Sequence, residues 1–226
     1  MDNKEISGIL KLTAQLMELN GENEFKIRSY NNAAFKLGRL DLQLSQMNPD
    51  DLENVDGIGK SLAAKVAELL ETNNLKFLEE LLGKTPKGVV DMLSIKGIGP
   101  KKIRSLWKEL EIESIGELLY ACNENRLVEL KGFGAKTQEA VKNSIEFIIS
   151  SAGKFHYAAV EGIALNKVEE LKRAYHTEFV SLTGAVRRKC EIIEKIEILV
   201  ASEQLSSSEL ESSVLPIHII QCKPEN

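Results

Sequence analysis

Three segments of this 226-residue chain repeat one arrangement of residue types: Val55-Asp56-Gly57-Ile58-Gly59-Lys60, Ile95-Lys96-Gly97-Ile98-Gly99-Pro100-Lys101 and Leu130-Lys131-Gly132-Phe133-Gly134-Ala135-Lys136. Each reads apolar, polar, Gly, apolar, Gly, and each precedes a segment of helical period. One Gly-x-Gly before a helix is a weak signal, because many are simply tight turns that need a positive φ. Three copies, the second 40 and the third a further 35 residues on, amount to an internal repeat. The chemistry such a shape serves is anion binding. Glycines let an anion approach the backbone, their N–H groups point outward, and the following helix presents the positive end of its dipole. Lys60, Lys101, Lys102 and Lys136 stand just after the turns and add point charges. Contacts of this kind hold a nucleic-acid backbone without reading bases. The bland alternative makes the hairpins mere corners between helices, and Asp51, Glu53 and Asp56 favour it most for the first copy.

The charge balance is less suggestive than its distribution. With 29 basic and 34 acidic residues the net charge is −5, which taken whole argues against a nucleic-acid binder. Residues 26–39 nevertheless carry Lys26, Arg28, Lys36 and Arg39 with no acid, and residues 95–108 carry Lys96, Lys101, Lys102, Arg104 and Lys108 with none. Charge alone would make these solvated helix faces. Cys122, Cys190 and Cys222 lack a CxxC spacing, so they support neither a disulfide framework nor a zinc site and are expected as reduced, mostly buried thiols. His156, His176 and His218 show no spacing for a metal site or a triad. No apolar run reaches the ~18–20 residues of a membrane helix, and the start lacks a basic head, apolar stretch and cleavage site. A cytoplasmic protein without a membrane partner is expected.

The elements that must position the repeats are helical. Ile6, Ile9, Leu10, Leu16 and Met17 predict a helix over 3–19, closed by Asn20-Gly21. Helix starts follow at Asn48-Pro49-Asp50-Asp51 and Thr85-Pro86, and Ser114 to Glu117 has capping-box spacing. After about Phe155 the texture changes: a helix over 162–176 precedes strand-length runs at 178–183, 195–201 and 214–221, with a polar loop, SEQLSSSELESS, between the last two. The fold class expected is therefore mainly α, with helix-hairpin-helix arrays and a small C-terminal α+β unit.

The three repeats resemble helix-hairpin-helix motifs, and their order and flanks resemble the N-terminal part of bacterial family X DNA polymerases. Gly21 to Tyr30, continuing to Gly57-Ile58-Gly59-Lys60-Ser61-Leu62-Ala63-Ala64-Lys65, is similar to that family's lyase domain. Residues 85–152 are similar to its DNA-holding fingers domain, and Thr183-Gly184-Ala185-Val186-Arg187-Arg188 to the loop that opens its palm. The likeness covers residues 3–201, and 214–222 loosely. It implies three domains: a lyase-like helical domain over 1–83, a fingers-like domain over 84–153 and a vestigial palm-like unit over 154–226.

The resemblance also implies roles. Lys65 matches the lysine that forms a Schiff base with an abasic deoxyribose phosphate, and Lys26 and Tyr30 match positions near the 5′-phosphate. Gly57, Gly59, Gly97, Gly99, Gly132 and Gly134 with their lysines would hold DNA. No cofactor is expected, the one candidate of that kind being a monovalent cation at the hairpins. The palm departs from the family. Its metal-binding carboxylate positions fall on Lys195, Glu197 and His218, so no metal site is expected. Few residues follow the third strand, so neither the family's thumb nor its nuclease domain is expected within these residues. The leading expectation is a sequence-nonspecific protein for gapped, nicked or end-bearing DNA in repair, without polymerase activity. The alternatives are a 5′-deoxyribose-phosphate lyase using Lys65 and a helical protein-interaction module.

Overall fold

The chain enters its first helix, α1 (Asn3–Asn20), through a capping box. The Asp2 carboxylate accepts from the Glu5 N–H at 2.8 Å, and the Asp2 N–H donates back to Glu5 at 2.7 Å. The helix closes at Gly21, whose φ of +72° is the left-handed cap expected of Asn20-Gly21. Its stripe of Ile6, Leu10, Ala14 and Met17 is fully buried against α2 (Glu24–Leu37), α4 (Lys76–Lys84) and α6 (Pro100–Leu110). Full burial of each such aliphatic side chain is worth roughly 1.5–3 kcal/mol. The buried Asn3 amide fastens the loop beyond α2. It donates to the Leu40 and Leu42 carbonyls at 3.1 and 2.8 Å, while its oxygen accepts from the Leu44 N–H at 3.0 Å.

The computed structural model describes residues 1–201 and 215–222, which fall into two units, Met1–Ile148 and Ile149–Asn226. In the first unit a 3-10 turn, a glycine hairpin and an α-helix recur three times. Pro49–Asn54 leads to α3 (Lys60–Thr72), Met92–Ser94 to α6, and Arg126–Glu129 to α8 (Ala135–Ser151). The segment opened by Pro49 is 3-10 because only six residues precede the hairpin, and i→i+3 bonds close in that short span. Thr85-Pro86 opens α5 (Lys87–Asp91), and Ser114 forms the expected capping box at the head of α7 (Ile115–Asn123). One apolar core runs from Ile6 through Leu69, Leu81, Met92 and Leu106 to Ile145, unbroken across residues 83 and 84.

The second unit is α+β. Helix α9 (Tyr157–Tyr175) lays Val160, Ala164, Val168 and Leu171 on one face of a sheet ordered β2-β4-β5. Strand β2 (Val180–Thr183) runs antiparallel to β4 (Ile196–Ala201), which runs parallel to β5 (Ile217–Cys222). A two-residue pair, β1 (Phe155–His156) with β3 (Ile192–Ile193), and the short α10 (Gly184–Arg187) complete it. Pairs that short carry no period-2 signal and were not expected. Val214 and the polar loop 202–213 lie outside the described residues. The fold class is as expected, mainly α with a small α+β unit. Among the described residues no helix is long and apolar enough to cross a membrane. Cys122 is buried, and Cys190 and Cys222 are partly buried.

Candidate functional site

The three hairpins share one backbone geometry. Gly57, Gly97 and Gly132 have φ of +91°, +94° and +90°, a region side-chain-bearing residues rarely adopt. The apolar residue between the glycines is buried in each copy: Ile58, Ile98 and Phe133. The second glycine then hands the chain to a helix, its carbonyl accepting from Ala63, Ile103 or Gln138 at 2.9, 3.0 and 3.0 Å. Gly59 and Gly99 are the N-caps of α3 and α6, and neither helix start has a side-chain cap. A Cβ at Gly59, Gly97, Gly99, Gly132 or Gly134 would meet nothing within 4 Å. The N–H groups of Lys60 and Ser61 at α3, and of Lys101 and Lys102 after Pro100 at α6, thus stand beside uncrowded glycines without a side-chain cap, where an anion can reach them.

The lysines differ in their surroundings. Lys60 begins α3 and Lys136 is the second residue of α8, both exposed. Lys101 leans toward Glu24 at 3.7 Å and Glu18 at 4.0 Å, exposed pairs of small energetic weight. Lys102 places its ammonium 5.1 Å from the centre of the Phe133 ring, and the Ser144 hydroxyl donates to the Lys96 carbonyl at 3.3 Å. The second and third hairpins are thus neighbours. Helix α2 links the first two: Glu24 at its start reaches Lys101, and Lys36 near its end bonds Asp56 at 2.6 Å. Twelve residues at helical rise separate those contacts by about 18 Å.

A second cluster forms around Phe77. The Lys65 ammonium lies 4.8 Å and the Lys26 ammonium 5.0 Å from the centre of that ring, and the Tyr30 ring packs against it at 6.2 Å. Lys26, Tyr30 and Lys65, expected to act together, do come together. Lys60 does not share their face, since five helical residues turn it about 140° from Lys65. The Tyr30 hydroxyl is buried without a hydrogen-bond partner among the described residues. Burial, and secondly the Glu68 carboxylate, push its pKa up to about 12. Sequence reasoning missed Phe77 and Glu68. Glu68 stands three residues from Lys65 on α3, a readable spacing, but nothing in the spacing of Phe77 marks it.

In the second unit the three palm positions also meet. Glu197 pairs across strands with Thr183 on one side and His218 on the other. Its Oε1 lies 2.8 Å from the Lys195 ammonium, and its other oxygen fills the space where a Cβ on Gly184 would stand. Arg187 and Arg188 are exposed. Among the described residues no group of three or more His, Cys, Asp or Glu side chains is arranged to hold a metal ion.

This sequence has counterparts among known proteins. Residues 1–75 match the helix-hairpin-helix domain family, and residues 89–146 match the SAM-like helix-hairpin-helix tandem. The first match takes in Lys26, Tyr30 and Lys65 but stops short of Phe77, and the second spans hairpins two and three. A DNA polymerase/3′-5′ exonuclease PolX of Bacillus subtilis (strain 168) is 31% identical over 203 residues, which is 90% of this chain and 35% of that relative. The chain spans about a third of the length of the curated relative it matches, and it resembles the N-terminal region of family X DNA polymerases.

Burial of Tyr30 generates a pH test. Its folded pKa lies above the ordinary 10, so its contribution to stability is intact below pH 10 and is lost as pH rises from about 10 to about 12. Denaturant unfolding across that window should show wild type losing stability relative to Tyr30→Phe. Parallel profiles for the two would show Tyr30 ionising like an exposed phenol.

Proposed function

We propose that this protein is a sequence-nonspecific DNA-binding protein that grips gapped, nicked or 5′-phosphate-bearing DNA in repair. The observation that carries this reading is the threefold recurrence of a glycine near φ +90° followed by an open helix start. Phosphates are the anions that recur along a polymer, and repeated anion sites on one unit suit a polyanion. The adjacency of hairpins two and three, and the link through α2 to the first, support it further. The reading extends to an absence of polymerase activity. Family X palms bind two divalent cations on carboxylates, and here an ammonium at Lys195 stands in that place and already engages Glu197.

A second reading is favoured by the Phe77 cluster. A lysine amine attacks the C1′ aldehyde of a 5′-deoxyribose phosphate and expels water to form an imine. Loss of a C2′ proton then breaks the C3′–O bond, releasing the DNA strand with its 5′-phosphate, and water returns the amine. Lys65 would be that nucleophile, with Lys26 near the sugar's phosphate and Tyr30 packed against the same Phe77 ring.

Three outcomes are expected. Replacing Lys101 and Lys102 together by Glu should weaken binding to all DNA sequences about equally and flatten the salt dependence, read by fluorescence anisotropy. Equal affinity in that variant and wild type would remove the second hairpin from the interface. Primer extension with magnesium or manganese should yield no product, and incorporation that co-elutes with the protein would overturn the polymerase assignment. Borohydride should trap a covalent adduct on 5′-incised abasic DNA that Lys65→Ala abolishes while retaining binding to gaps. An adduct undiminished in Lys65→Ala would assign the chemistry to another amine.

A further inference from the structure

The outer face of α2 has features that the hairpins do not account for. Ile27, Tyr30, Ala33 and Leu37 face the core, while Arg28, Asn32, Phe35 and Lys36 lie on the exposed side and Arg39 follows in the turn just beyond the helix end. No acid occurs from residue 25 to residue 39. Within this stripe the Phe35 ring is 58% exposed, and the Arg39 guanidinium lies 3.9 Å from its centre. A single exposed apolar side chain needs no explanation by itself. A ring held between a stacked guanidinium and open solvent is a different object, because one face is fixed in orientation and the other is free to receive a flat partner.

We propose that Phe35 and Arg39 form a stacking platform for an unpaired base of single-stranded DNA beside the first hairpin. The inference rests on the DNA-binding reading above and adds the class of DNA at this end of the site. Two observations select a base over an apolar protein side chain. The flanking groups are cationic and amide-bearing, which complements a phosphate backbone. Lys36, next in the chain to Phe35, bonds Asp56 and lies along Gly57, so the platform adjoins a turn whose helix start is open to phosphate. A strand anchored there by its backbone would carry an unpaired base toward the ring, whereas paired bases in a duplex are stacked within it and unavailable. Base stacking of this kind tolerates any sequence, because every base has a π-face.

The test compares the full chain with Phe35→Ala, Phe35→Trp and Arg39→Gln on labelled oligothymidylate and on a blunt duplex of equal length. Phe35→Ala should weaken oligothymidylate binding by roughly five- to a hundredfold with its salt slope unchanged, and leave the duplex within about twofold. Arg39→Gln should weaken the same probe and lower the salt slope by about one. Phe35→Trp should restore affinity, and its added indole should be quenched by oligothymidylate. Circular dichroism and a thermal melt check the folding of each variant. Wild-type affinity of Phe35→Ala for oligothymidylate, while the Lys101/Lys102 double variant weakens both probes, would overturn the platform and leave the hairpin reading standing. Equal loss on both probes would also overturn it. Absence of salt-dependent binding by wild type would overturn both readings.

Discussion

A helix can take an anion at its N-terminus only if its first N–H groups are not all claimed, and by that constraint α3 and α6 differ from α1, α2, α4, α7 and α9. At α1, α2 and α7 the side chains of Asp2, Asn23 and Ser114 accept from the first turn. At α4, where Leu75 cannot cap, Glu68 reaches from α3 to the Lys76 N–H at 2.8 Å. At α9 the Glu191 carbonyl accepts from the Tyr157 N–H at 3.0 Å. Helices α3 and α6 instead begin at a glycine with no side-chain cap. A glycine in place of a Ser, Thr, Asn or Asp cap costs roughly a few tenths of a kcal/mol at each start. Burial of Ile58 and Ile98 beneath the turns, at roughly 1.5–3 kcal/mol apiece, more than offsets it. The glycines leave the donors open, and the apolar residue between them anchors the loop that presents them.

Glu68 ties this economy to the second cluster. By capping α4 at Lys76 it fixes the first turn of the helix whose next residue is Phe77. That ring then gathers Lys65 from α3 and Lys26 from α2, each at cation–π distance. An aromatic face attracts two ammonium groups without neutralising either, which a carboxylate in its place would do. The pair of amines is held near one ring, beside a buried hydroxyl, by an acid that points elsewhere.

Much of this was legible in the sequence because its signals are local. The Gly-x-Gly repeat predicts positive φ at the first glycine, and Gly57, Gly97 and Gly132 adopt it. Asn20-Gly21 and Ser114 to Glu117 mark helix boundaries by chemistry within four residues, and both boundaries fall there. Phe77 was not legible, since it meets Lys65 only after the chain turns at Asn73 and α4 docks on α1. The pairing of Lys101 with Glu24 and of Lys102 with Phe133 depends likewise on tertiary neighbours. Asp2 is readable as a cap, with Glu5 three residues on. The two-residue strands β1 and β3 are set by their partner rather than by any pattern of their own.

The contrast between the two units follows from what each kind of site demands of its side chains. A backbone anion site needs a φ, a dipole and room, so two glycines and one apolar anchor suffice and the flanking residues can vary, as Asp56, Lys96 and Lys131 do. A two-cation centre needs several converging carboxylates, and an ammonium paired with one of them disfavours it. In the second unit Lys195 supplies that ammonium, Gly184 leaves the space into which Glu197 folds, and the register sets His218 rather than an acid across the strand. The sheet keeps its order and its covered face because Ile196, Ile198 and Val200 pack on α9 regardless of what the opposite face carries. The anion sites proposed for the hairpins rest, by contrast, on the same backbone conformation that makes the fold.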